Sequence, residues 1–148
     1  MKLIEKLRLE IARYRNKEFV KAAMGACALV AIAAEGVTSG QRQRVDSVVR
    51  SLERYPEMDV RKAQEHFLEY ATALKRDFAV AAMILERKLE RACTTWKRTR
   101  TVMRLAWHVQ QAPDVLPPAG EKEFLRLCQV FGVPPAVARV PLDSEVSI

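Results

Sequence analysis

The chain has 148 residues, 49% of them apolar and 29% charged, with five glycines and no low-complexity tract. That is enough apolar material for one continuous core, and it argues against a disordered or fibrous chain. The excess of 25 Lys+Arg over 18 Asp+Glu gives a net charge of +7 and a pI near 9.6, a balance suited to an acidic partner.

The N-terminal KLIEKLRLEIARYR mixes charge into its apolar residues, so it lacks the unbroken apolar core of a signal peptide. Residues 2 to 13 read as an amphipathic helix with Leu3, Leu7 and Ile11 on one face, broken by YRNK. A central helix from Lys17 to Ala34 follows. Its small residues, Ala22, Ala23, Gly25, Ala26 and Ala33, invite neighbours from several sides, and apolarity all round implies burial. Its uncharged tract, Ala22 to Ala34, falls short of the roughly 20 residues needed to cross a bilayer.

Thr38 and Gln41 form a capping box for a third helix, in which Val45, Val48, Val49 and Leu52 make the core stripe before Pro56 ends it. Asp59 caps a helix running to about Lys75, and Asp77 restarts the chain as DFAVAAMILERKLERACTTW. Here Phe78, Ala81, Ile84, Leu85, Leu89 and Ala92 are expected to point inward. A further helix covers about Arg100 to Gln111. After the PDVLPP loop, a helix from about Pro118 to Phe131 is closed by Gly132 and Pro134. A short turn near Pro135 to Arg139 leads into a tail. Cys27, Cys93 and Cys128 are odd in number and far apart, a pattern of reduced thiols rather than of a zinc site.

The expected fold is therefore all-α, a single-domain bundle of about seven to eight helices. An N-terminal helix (1–13) precedes the main domain (14–138) and a tail (139–148). Two stretches share one plan of apolar helix, acid-opened turn, capped helix and proline exit: ACALVAIAAEGVTSGQRQRVDSVVRSLERYP and MRLAWHVQQAPDVLPPAGEKEFLRLCQVFGVPP. This pairs Glu35 with Asp114 and Gln41 with Glu121, and suggests two pseudo-twofold helix-loop-helix halves.

From about Tyr14 to Pro135 the chain resembles the TerB tellurite-resistance family, through YRNKEFVKAAMGACALVAIAAEGVTS, EHFLEY and GEKEFLRLCQVFGVPP in that order. The resemblance implies carboxylate-rich loops that bind a divalent cation such as calcium or magnesium. It also implies a role in tellurite and chemical stress resistance, beside a TerC-like integral membrane protein at the inner face of the bacterial membrane. Such a protein would be cytoplasmic, peripheral to that membrane. The family's first loop reads Asp-Gly and ends on a glutamate, whereas this chain has Glu35-Gly36 and Gln41; its second loop has Asp114-Val115 in place of Asp-Gly. Three of the expected carboxylates remain: Glu35, Asp114 and Glu121. Calcium takes about six to eight oxygens, so the implied site is weak or vestigial.

Each candidate also has a plainer reading. Glu35 before Gly36 is ordinary helix termination, and Asp114 and Glu121 suit a helix N-terminus. His66, between Glu65 and Glu69, reads as solvated or salt-bridged, and His108 as a core or boundary histidine. The basic run from Arg87 to Arg104 reads as a solvated helix face with Trp96 docked on a neighbour. The alternative is a nucleic-acid or acidic-partner surface built from Arg91, Lys97, Arg98 and Arg100. Residues 1–15 could lie on anionic lipid. No catalytic motif is present, and the expectation is a non-enzymatic, partner-binding protein.

Overall fold

The computed structural model describes residues 3–14, 16–35, 43–110 and 116–140, and among them every regular element is helical. In chain order these are α1 (Leu3–Arg13), α2 (Lys17–Glu35), α3 (Gln43–Ser51) with a 3-10 turn (Leu52–Arg54), α4 (Val60–Arg76), α5 (Phe78–Ala92), α6 (Trp96–His108), α7 (Pro118–Phe131) and α8 (Pro135–Ala138). The all-α expectation holds. Thr38, Gln41, Asp114 and the tail beyond Val140 lie outside the described residues, as do both turns of the proposed repeat.

Local chemistry explains most boundaries. Asn16 accepts from the Phe19 N–H at 2.8 Å and so opens α2. Asp59 and Asp77 do the same for α4 and α5, accepting from Lys62 and Val80 N–H at 3.3 Å each. Gly132, at φ 71°, closes α7 in a left-handed turn: Val133 N–H donates to Cys128 C=O at 2.9 Å and Gly132 N–H to Gln129 C=O. Val133 and Cys128 are both buried, the apolar contact that accompanies this closure.

One expected boundary is wrong. The helix opened by Asp77 does not continue through Trp96; it ends at Ala92, and α6 starts at Trp96 rather than Arg100. Thr95 is the cause. Its backbone is extended, and its hydroxyl accepts from Arg98 N–H at 3.2 Å, which starts a new helix. Trp96, expected to dock on a neighbour, is 40% exposed.

The core is organised around α2, which buries fifteen of its nineteen residues and touches α3, α4, α5, α6 and α7. Small side chains make this possible, because they let helix backbones approach from several directions. A Cβ on Gly25 would stand 3.3 Å from Leu85 Cδ2 of α5, and one on Gly120 of α7 would stand 2.6 Å from Ala34 Cβ. Around this axis Leu7, Phe19, Leu52, Tyr55, Phe67, Leu89 and Phe124 are fully enclosed. On α5 the expected inward set divides: Ala81, Leu85, Leu89 and Ala92 are buried, but Phe78 and Ile84 are not.

Candidate functional site

The Gly120 contact fixes the geometry of the acid-bearing region. With only a hydrogen at its α carbon, Gly120 lets the first turn of α7 sit against the last turn of α2, and so places Glu121 and Glu35 on abutting segments. The two side chains nevertheless serve different partners. Glu35 is buried, and its Oε2 pairs with Lys75 Nζ of α4 at 3.2 Å. Glu121 pairs with Arg139 at 3.2 Å, and the Arg139 guanidinium lies over Trp107 at 4.6 Å and Phe124 at 5.4 Å.

Glu35 is the more informative of the two. Its Oε1 is buried with no hydrogen-bond partner, and its charge sits at a helix C-terminus, the end where an anion is disfavoured. A half-satisfied buried carboxylate is the kind of donor a cation would complete. Lys75 already supplies one positive charge there, and no group of three or more metal-ligating side chains exists among the described residues. The fit to a divalent ion is therefore partial: the described residues offer one free carboxylate oxygen.

The four basic candidates do not form one patch. Arg91 and Lys97 are exposed. Arg98 donates to Ala92 C=O at 3.3 Å and lies over the Tyr14 ring at 5.5 Å. Arg100 is buried, at 8% exposure, against Glu10 of α1. Two of the four are thus held by internal partners, and the run from Arg87 to Arg104 is a solvated face only in its first half.

The strongest polar cluster was not legible from the sequence. Glu10 Oε1 accepts from Arg104 Nη1 at 2.6 Å and from Arg100 Nη2 at 3.2 Å, and its Oε2 accepts from Thr101 Oγ1 at 3.0 Å. Arg104 is 2% exposed, and burial pulls its guanidinium below the ordinary range, an effect that Glu10 opposes. One turn on, burial and then the Arg104 charge lower the His108 imidazole to about 4, against a hydrogen bond to the Val140 backbone that acts the other way. His108 is therefore a neutral histidine at the core position expected, but its Nε2 is buried without a hydrogen-bond partner. The available signal was the i, i+4, i+8 spacing of Arg100, Arg104 and His108 on one helix face.

The remaining candidates are structural. His66 stacks on Tyr70 with ring centroids 6.2 Å apart, while Glu65 pairs with Arg61 at 3.5 Å in solvent. All three cysteines are free, and burial raises each thiol above its ordinary range, Cys128 to about 11, so none is an activated nucleophile. Two residues of the expected apolar face of α1, Leu7 and Ile11, are fully buried within the protein, and Arg8 pairs with Glu57 at 2.6 Å. No helix among the described residues is long and apolar enough to cross a membrane.

Comparison with known proteins places the chain by its sequence. The tellurium resistance protein TerB of an Alcaligenes species is 30% identical over 76 residues, which is 51% of this chain and 62% of that protein. No solved structure matches the chain. The family profile of the tellurite resistance protein TerB matches residues 20–140, the span from the start of α2 through α8 that contains both acid-bearing turns. The chain belongs to the TerB tellurite-resistance family.

Proposed function

We propose that this chain serves tellurite and chemical stress resistance as a non-enzymatic module that binds a protein partner and carries a weak divalent-cation site at the α2–α7 junction. The partner class implied by the family is an integral membrane protein of the TerC type, which the chain would meet from the inner, cytoplasmic side. The observation that carries the cation part is Glu35, a buried carboxylate with one unpartnered oxygen beside the first turn of α7. Lys75 neutralises the same carboxylate, so a bound ion adds little and binding is weak. The non-enzymatic part is supported by thiols raised through burial, and by two histidines engaged in stacking or core packing.

Calcium or magnesium at millimolar concentration is expected to raise the melting temperature slightly, by mass action, and to shift the amide signals of Glu35 and Asp114. Unmoved signals at both residues would remove the cation site. For the module itself, expression in a cell lacking its own family member should restore growth on tellurite. A chain that folds there without restoring growth would overturn the resistance role.

A further inference from the structure

The outward face of α5 is anomalous for a protein surface. Val80, Met83 and Ile84 are each about half exposed, at 49%, 50% and 50%, and they recur at helical spacing on the side turned away from α2. Large aliphatic side chains scattered singly over a surface are ordinary, whereas three within five residues on one side of a helix make a contiguous patch. Farther along the same stripe stand Arg87 and Arg91, and Arg76 precedes its start. Four residues on from Val80 lies Ile84, then Arg87 and Arg91. The stripe from Val80 to Arg91 is about 16 Å long at the helical rise, the length of three turns of a facing helix.

At the N-terminal end of this face lies a groove between α5 and α7, with a volume of about 490 Å³. Ala33 of α2 and Ala119 line it together with Phe78 and Leu125, and Lys122 and Gln129 stand at its edge. Phe78 and Leu125 remain 38% and 37% exposed. Arg126 braces the two helices by pairing with Glu86 of α5 and, at 2.6 Å, with Glu123 of α7. Arg126 is itself on α7, so its pair with Glu86 is the one that ties the two helices together across the groove, and its pair with Glu123 orients it within α7.

We propose that this face, the α5 stripe with its adjoining groove, docks an acidic amphipathic helix of a partner protein. The inference rests on the partner-binding reading above and names the surface and the partner's chemistry. Charge selects the occupant. Arg76, Arg87, Arg91 and Lys122 take part in none of the ion pairs among the described residues, while of the acids on α5 Glu86 is already paired with Arg126 and Glu90 alone is left over. A second copy of the chain, laid antiparallel on the same stripe, would set Arg87 of each copy against the apolar Val80 end of the other rather than against a carboxylate. A flat lipid surface would leave the groove unfilled. A helix with apolar residues at i, i+3, i+4 and i+7 covers Val80, Met83 and Ile84, inserts one large side chain between Phe78 and Leu125, and sets flanking carboxylates against the four cations.

The test uses the full chain, labelled with 15N, and two synthetic helices of about 18 residues with the same leucine stripe, one flanked by Glu and the other by Lys. The Glu peptide should shift the amides of Ala79, Met83, Ile84 and Arg87 and bind at least about tenfold more tightly than the Lys peptide. Met83→Ser with Ile84→Ser should weaken it about tenfold, and Arg87→Glu with Arg91→Glu should reverse the preference. Both pairs lie on the exposed face, so the fold survives the changes.

Equal binding of the two peptides, or shifts confined to other helices, would overturn the proposal. So would phosphatidylglycerol vesicles broadening the α5 signals when the Glu peptide does not shift them. Self-association abolished by Met83→Ser and Ile84→Ser would assign the face to a second copy and refute it equally. If the serine variant loses the peptide but still restores growth on tellurite, this surface is wrong and the module reading stands. If the unaltered chain binds the peptide but restores nothing, the resistance role fails and the surface stands.

Discussion

Gly120→Ala separates two opposed effects at the α2–α7 joint. Ala is favoured over Gly by at most about 1 kcal/mol, the value for a helix interior, so propensity alone predicts a more stable protein even in the first turn where Gly120 stands. Packing predicts the reverse. The new methyl would stand 2.6 Å from Ala34 Cβ and 2.7 Å from Leu116 Cδ1. Carbon atoms rest at about 3.5–4.0 Å, so each contact is short by about 1 Å. The Leu116 terminus can rotate aside, but Ala34 Cβ is fixed to the backbone of the central helix, and relief requires α7 to move. Overpacking of this kind costs about 1–3 kcal/mol, which set against the propensity gain leaves a net loss of about 0–2 kcal/mol. For a chain of this size the melting temperature should fall by up to roughly 6 °C.

Equilibrium urea unfolding followed by circular dichroism would measure the loss directly. Pairing the change with Ala34→Gly completes a double-mutant cycle, in which the coupling should be favourable by about 1 kcal/mol because the second change removes the obstructing methyl. If Gly120→Ala is more stable than the parent by the full propensity gain of about 1 kcal/mol, α7 is not seated against the end of α2. The placement of Glu35 beside the α7 N-terminus, and the cation site with it, would then fall.

Two further outcomes follow from the buried polar groups. His108 titrates near 4 in the fold against an ordinary 6.5, so the unfolded chain binds more protons between those values. Stability present above pH 6.5 is therefore lost as pH falls towards 4. At pH 5 the loss is about 2 kcal/mol, and urea midpoints for His108→Gln should show a correspondingly flatter fall between pH 7 and pH 5. An unchanged slope would mean that other groups set the acid limit. Lys75→Met leaves the Glu35 carboxylate buried without its counter-charge, at a cost of about 1–3 kcal/mol. In that variant calcium should raise the melting temperature more than in the parent, and equal shifts in the two would show that Lys75 and the ion do not compete.

Legibility followed the range of the interaction. Asp59, Asp77 and Gly132 mark helix ends through bonds to residues three to five positions away, so their meaning is visible in a short window. Thr95 belongs to the same class and was hidden by the apolar spacing that runs past it into Trp96. Ile84 was assigned to the core because the apolar stripe of α5 is wider than the surface α2 offers; the excess faces solvent. Glu35 illustrates the limit of reading acids singly. Its turn was recognised, but its neighbour is Lys75, forty positions on and on another helix. Arg100 stood in a basic run that looks solvated, and only the return of α1, ninety positions earlier in the chain, supplies the carboxylate that buries it.

The docking of α1 also bears on where this protein can be cut. The family span begins at residue 20, after α1, yet the anion that satisfies Arg100 and Arg104 is Glu10. A fragment trimmed to the shared span would keep both guanidiniums on α6 and discard the carboxylate that pairs with both, along with the buried Leu7 and Ile11 side chains. The span that matches the family and the span that is packed together in this chain therefore differ by α1, which lies outside the first and inside the second.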